Sequence, residues 1–341
     1  MMDWITIFVT AAGALLFLSF VWKNYRLKSS EGKNKYSGTD SQSADLSICK
    51  SPTCVRCQSR AYDAYSVKDQ LVKSFMTYAV GWETSNKVNT WQPAENSSIK
   101  TLSRVLQTIN SIDNTQEILK ATYHESGYKF EPSNQSQPHI WWMPGLKRSP
   151  FWEASEHSGL EKIATVFESS TIIEVLQHEY KNACSRRSLW KENKIPNGAW
   201  KLFCFYDQGS KLVANCDICP HTTRLLESIN DFMIGCVYGN AMISVLEPGS
   251  QIEAHTGPCN FRLRCHLALF ENKNYMVQVG TEVRSWEKGK LMVFDDSYVH
   301  RVWHERSSGD STDERVVLIF DVWHPDVSLC EQQSLSYLFA H

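Results

Sequence analysis

Two histidines, His255 and His300, each close or follow a short apolar, β-prone run between Asn240 and Pro325. Imidazoles on different strands can share one divalent metal. Arg264 and Arg315 sit in runs of the same kind. An inward guanidinium in an apolar barrel needs a partner. Guanidinium forks match carboxylates, so this pair could clamp an anion beside the metal.

The elements that must position these residues are strands. Polar residues recur inside Met242–Leu246, Arg262–Phe270, Leu291–Phe294 and Val316–Val322. Turn signals fall at Pro248-Gly249, Gly257-Pro258, Gly280 and Gly289. This is the pattern of a β-sandwich or barrel with polar groups facing inward. Alternation turns Arg262, Arg264 and His266 to one face and Cys265 to the other, where it packs. Trp200 opens the first clear strand, running to Gly209. Asp295 and Asp296 read as turn residues ahead of His300. Arg301 competes with Arg315 but adjoins a candidate ligand, and His304 and His324 are not expected to bind metal.

Helices flank the sheet. Ser158 to Lys181 places Leu160, Ile163, Val166 and Phe167 on one face, continued by Val175, Leu176 and Tyr180. Its Glu174, His178 and Glu179 are expected on the solvated side. Asp69–Glu83, Thr101–His124, Thr222–Asn230 and Leu329–Phe339 also read as helical, and Gly127–Pro150 as loop.

The string His255-Thr-Gly-Pro-Cys-Asn-Phe-Arg-Leu-Arg-Cys-His266, then Phe294-Asp-Asp-Ser-Tyr-Val-His300 and Asp321-Val-Trp-His-Pro325, resembles the aspartyl/asparaginyl β-hydroxylase family. Within it, the membrane-anchored aspartate β-hydroxylase domain-containing branch is the nearest match. The resemblance is strong from about Trp200 to Pro325 and weaker from about Ile140 to Gly198. It implies a mainly β fold with flanking helices, a double-stranded β-helix (jelly-roll, cupin-like) core preceded by a transmembrane helix and a helical arm. It also implies an iron(II)- and 2-oxoglutarate-dependent dioxygenase that uses O2 to hydroxylate Asp or Asn side chains of a protein substrate, releasing succinate. His255 and His300 match the iron ligands. Trp200, Ser244, Arg264, His266 and Arg315 match the cosubstrate contacts, Arg315 holding the distal carboxylate. Most iron sites of this kind add a carboxylate two residues after the first histidine. Gly257 stands there, as in the resembled family. Two rival readings are a catalytically silent membrane-anchored module binding acidic peptides or 2-oxo acids, and a cupin-type zinc hydrolase.

The remaining sequence sets the organisation. Net charge is −2, which gives no reason to expect a nucleic-acid partner. Residues 4–22 form an uncharged run with Trp at both ends, ~28 Å long as a helix, which reads as a membrane-lipid anchor after a three-residue tail. Residues 23–48 read as a flexible tether, 49–139 as a Cys-containing helical arm, and 140–341 as the dioxygenase-like domain. The basic residues after residue 22 favour a cytosolic domain by the positive-inside rule. The resemblance implies the opposite, a single-pass type II protein of the endoplasmic reticulum with a lumenal domain. Sequons at Asn96 and Asn134 suit that glycosylated placement. Cys54, Cys57, Cys216 and Cys219 could ligate a structural zinc, or the cysteines could form disulfides.

Overall fold

In a computed structural model the chain divides into two units, Met1–Gln58 and Ser59–His341. The described residues are 71–72, 74–75, 78, 95–111, 135–138, 140–195, 198–304 and 314–340. The expected anchor at 4–22, the tether, Cys54, Cys57 and Asn134 lie outside them. Among the described residues no helix is long and apolar enough to cross a membrane.

The sequence Arg-Val-Val-Leu-Ile-Phe-Asp-Val-Trp forms β12 (Arg315–Trp323), buried along its whole length. A strand this apolar on both parities must be covered on both faces. It lies mid-sheet between β7 (Arg262–Ala268) and β5 (Ala241–Leu246), antiparallel to both. The sheet continues past β7 through β10 (Leu291–Phe294) to β1 (Phe151–Trp152). Past β5 it continues through β3 (Ala199–Asp207) to β2 (Lys191–Lys194), with β4 (Ser210–Lys211) also on β3. A second antiparallel sheet has the order β6 (Gln251–His255), β11 (His300–His304), β8 (Asn272–Val279), β9 (Glu282–Trp286).

Alternation sorts the large sheet's side chains into two cores. Val316, Leu318 and Phe320 of β12, with Leu263, Cys265 and Leu267 of β7, pack outward against helices. Those helices are α2 (Ser158–Phe167), α3 (Ser170–Cys184), α4 (Val213–Ile218) and α5 (Pro220–Glu227). Val317 and Ile319 pack inward against Tyr275, Val277, Val279 and Trp286 of the second sheet. Arg315, Ser244, Arg264 and His266 share the parity of that inner face. A further helix, α1 (Glu95–Asn110), precedes the sandwich and carries Asn96, and α6 (Leu329–Leu338) follows it.

Several expectations need correction. The helix expected over Ser158–Lys181 is two helices, because Ser169 adopts extended backbone (φ −70°, ψ 122°) and begins a new one. Serine competes for backbone hydrogen bonds and suits such breaks. Glu179 is buried rather than solvated. Its carboxylate accepts from the N–H groups of His221 and Thr222, at 2.8 Å each, and from the Thr222 hydroxyl at 2.7 Å. A distant helix thus satisfies the open N-terminus of α5. That helix runs over Pro220–Glu227 rather than Thr222–Asn230, and the helix expected from Thr101 begins at Glu95.

The cysteine expectation divides. The cysteines among the described residues are all free. Cys216 and Cys219 direct their thiols at the carbonyls of Phe205 and Glu179, and burial pushes both upward, Cys219 to about 12. Both belong to the buried core that the large sheet shares with the helices. Their expected partners Cys54 and Cys57 lie outside the described residues.

Candidate active site

β6 and β11 pair so that His255 stands directly opposite His300. Their ring centroids are 4.1 Å apart. His255 Nδ1 lies 2.7 Å from the Glu253 carbonyl and His300 Nδ1 lies 2.9 Å from the Tyr298 carbonyl. A carbonyl only accepts, so each Nδ1 carries the proton and the lone pair falls on Nε2. Metal-binding histidines are oriented in this way. His300 is buried and His255 is half-buried.

Gly257 follows His255 by two residues. Its N–H donates to the Asp296 carbonyl, and a Cβ built on it would overlap the Asp296 carboxylate. The carboxylate absent from the His255 turn is therefore matched by one from the His300 turn. Burial pushes the Asp296 carboxyl up, but Arg262 and Arg264 outweigh this and hold it well below the usual carboxylate range. Asp296 is thus a buried anion, where a turn residue was expected.

Arg262, Arg264, Asp296 and Asp321 form a closed network of two cations and two anions. Arg262 is buried, pairing with both oxygens of Asp296, with Asp321 at 3.4 Å, and with the Tyr238 carbonyl. Arg264 grips Asp321 with two bonds of 2.9 and 3.0 Å and reaches Asp296 at 3.4 Å. The fork expected to clamp an anion alongside Arg315 is therefore turned onto Asp321.

Arg315 is different. It is 1% exposed, and among the described residues no carboxylate pairs with it. Its Nη2 donates to Ser244 Oγ at 2.7 Å, its guanidinium lies 5.0 Å from the Trp286 ring, and its Nε has no hydrogen-bond partner among the described residues. Burial lowers it to about 10. Trp200 Nε1 donates to the same Ser244 Oγ at 2.9 Å. His266 Nδ1 accepts from Trp286 Nε1 at 3.3 Å, which places the imidazole proton on Nε2; that buried atom also has no partner among the described residues. Burial first, then Arg315, Arg264 and His300, drive His266 well below its ordinary value, so it stays neutral. Phe294 joins the two halves, with its ring 4.9 Å from His266 and 5.7 Å from His300.

The fold therefore joins Trp200, Ser244 and Arg315 by direct contacts, links His266 to Arg315 through Trp286, connects His266 to His300 of the imidazole pair through Phe294, and puts Arg264 in the adjoining ion network. Sequence reasoning missed Trp286, Asp296 and Asp321. Asp321 was within reach: a lone carboxylate in an apolar strand, at the parity of Arg315, must face inward toward a cation. Nothing in the Asp-Asp pair marks Asp296 over Asp295, and nothing marks Trp286.

Two orphaned buried donors, on Arg315 and His266, suit an anionic oxygen ligand. Two imidazoles presenting Nε2 suit a divalent metal. Neither inference depends on the third carboxylate of the common iron triad.

Residues 170–325 match the family described as Aspartyl/Asparaginyl beta-hydroxylase. The chain is similar to human "Aspartate beta-hydroxylase domain-containing protein 2", with 31% identity over 341 residues, covering 96% of this chain and 82% of that protein. It is 33% identical over 196 residues to mouse "Aspartyl/asparaginyl beta-hydroxylase", covering 56% of this chain and 25% of that protein. A Pseudomonas putida prolyl-4-hydroxylase structure aligns loosely, at 15% identity over 45% of this chain and 86% of that one, with a TM-score of 0.30. The paired histidines and the residues around them fall inside the matched segment, and the similarity to the human relative runs nearly end to end: the chain belongs to the aspartyl/asparaginyl β-hydroxylase family.

Proposed function

We propose that the chain is an iron(II)- and 2-oxoglutarate-dependent dioxygenase that hydroxylates Asp or Asn side chains of a protein substrate. The observation that carries this reading is Arg315, a buried cation that no carboxylate pairs with among the described residues, linked through Trp286, His266 and Phe294 to the paired imidazoles. Iron(II) and 2-oxoglutarate, when bound, supply the oxidising power for C–H hydroxylation, consuming O2 and yielding succinate and CO2.

The chain's residues bind and orient. His255 and His300 hold the metal through Nε2. Arg315, with Ser244 and Trp200 behind it, takes the distal carboxylate of the cosubstrate. His266 offers its Nε2–H to a further oxygen. Phe294 and Trp286 wall the cup and exclude water, which strengthens every charge interaction inside it. Arg264 is committed to Asp321 and Asp296 and holds the ion network that borders the site. We read the two-sheet sandwich as a double-stranded β-helix. We also propose that the run at 4–22 anchors the protein in the endoplasmic reticulum membrane, the domain lying in the lumen.

Anaerobic titration with iron(II) and 2-oxoglutarate tests the site. A metal-to-ligand charge-transfer band in the native protein, lost in His300→Ala, is the expected result. Succinate formation in air should vanish with the same substitution. 2-Oxoglutarate binding that persists without metal and survives both His255→Ala and His300→Ala would instead identify a silent binding module.

A further inference from the structure

Residues 135–138 and 140–143 precede the segment that matches the family, yet they are hydrogen-bonded to both histidine-bearing turns. On the His255 side, the N–H groups of Ile140 and Trp141 donate to the Pro258 carbonyl at 3.0 and 2.8 Å. Trp141 also pairs with Cys259 as an isolated parallel bridge. On the His300 side, the Gln137 N–H donates to the Ser297 carbonyl at 2.9 Å, Ser136 bridges Tyr298, and the Ser136 and Ser297 hydroxyls share a hydrogen bond.

Asn260 closes the arrangement. Its Oδ1 accepts the Met143 N–H at 2.7 Å, and its Nδ2 donates to the Met143 carbonyl at 2.9 Å. One buried amide thus satisfies both backbone groups of one residue, as a neighbouring strand would. The segment is held from outside as well, where Trp142 N–H donates to Ser111 Oγ at 2.9 Å, just past the end of α1.

The imidazole pair needs such support. The ladder between β6 and β11 is irregular beside His300, where the register shifts before Val302. A bulge weakens pairing and re-aims side chains. Apart from the ladder, the two turns are joined directly by the Gly257 N–H to Asp296 carbonyl bond.

We propose that this segment is a strap that sets the spacing of His255 and His300, and that Asn260 is the positioning residue that latches it. Asn260 reaches the metal site only through the backbone it holds. The purpose of the spacing rests on the oxygenase reading above; the strap itself does not.

The test uses the full chain with Asn260→Ala and the milder Ser111→Ala. Backbone hydrogen exchange without metal should speed up about tenfold or more in Asn260→Ala, at 257, 259 and 260 and also at 297–300, across the site from the substitution. Ser111→Ala should show the same pattern more weakly, and it decides the matter if Asn260→Ala does not fold. Acceleration confined to 140–143, with 297–300 unchanged, overturns the strap. Anaerobic iron(II) titration is the second readout, with affinity expected to fall about tenfold or more in Asn260→Ala. Unchanged affinity with unchanged exchange at 297–300 overturns it likewise. If the native protein binds no iron, the oxygenase reading fails, and exchange alone decides the strap.

Discussion

Arg315 and Asp321 stand on the same face of one strand, and their charges have opposite consequences for stability. Asp321 anchors Arg262 and Arg264, so Asp321→Ala leaves buried cations without their partner and should cost roughly 3–5 kcal/mol. Arg315 has no carboxylate to lose among the described residues. Replacing an uncompensated buried charge with an apolar residue of similar size is neutral or stabilising. Arg315→Met should therefore hold or raise the melting temperature while weakening 2-oxoglutarate binding by roughly 2–5 kcal/mol, the loss expected for a buried charge-assisted contact. Calorimetric melting and a cosubstrate titration check both halves. A large drop in melting temperature would make Arg315 a structural residue. The inward parity of Arg264 and His266 was legible in the sequence, because alternation along a strand is geometric. What Arg264 pairs with was not, because Asp321 lies far along the chain and only the sheet register brings the two together.

At the scale of elements, the large sheet was readable and the small one was not. β5, β10 and most of β12 are apolar runs, and in β7 the apolar residues alternate with Arg262, Arg264 and His266, so all four carry a readable strand pattern. β6, β8, β9 and β11 lie in a sheet with one partly open face, so Gln, Asn, Arg and Glu dilute their pattern. The turns between these strands hold the site, and Gly257 shows how tightly. A triad carboxylate introduced as Gly257→Asp has no space, because Asp296 already fills it. The variant should not gain iron affinity. It should displace Asp296 from Arg262, lose roughly 1–3 kcal/mol as an overpacked core does, and bind iron more weakly. Tighter iron binding with unchanged thermal stability would show that Asp296 yields freely and that the two turns are not locked together.

Across the whole molecule, buried groups carry opposing proton linkages. Burial drives His266 well below its ordinary 6.5 and His324 to about 4. His324 is held neutral between the Lys147 carbonyl and the Asp326 N–H, far from the imidazole pair in role. Between about pH 4 and 6.5 the unfolded chain protonates these histidines while the fold does not, so stability is lost as pH falls through that window. Asp295 works in the other direction. Burial raises it from 3.8 to about 7, so the fold keeps a proton that the unfolded chain has released. Its contribution is complete below about pH 4 and disappears as pH rises to about 7. Two histidines outweigh one carboxyl, so the melting temperature of the native chain should fall on the acid side of about pH 6. Substitution separates the two linkages. His324→Gln should flatten the acid limb. Asp295→Asn retains an acceptor for the Ser297 N–H and removes the penalty of an ionised buried carboxylate, so its advantage over the native chain should be larger at pH 8 than at pH 5, by up to a few kcal/mol. An equal shift at both pH values would mean that Asp295 does not titrate in this range, leaving the histidines alone to set the slope.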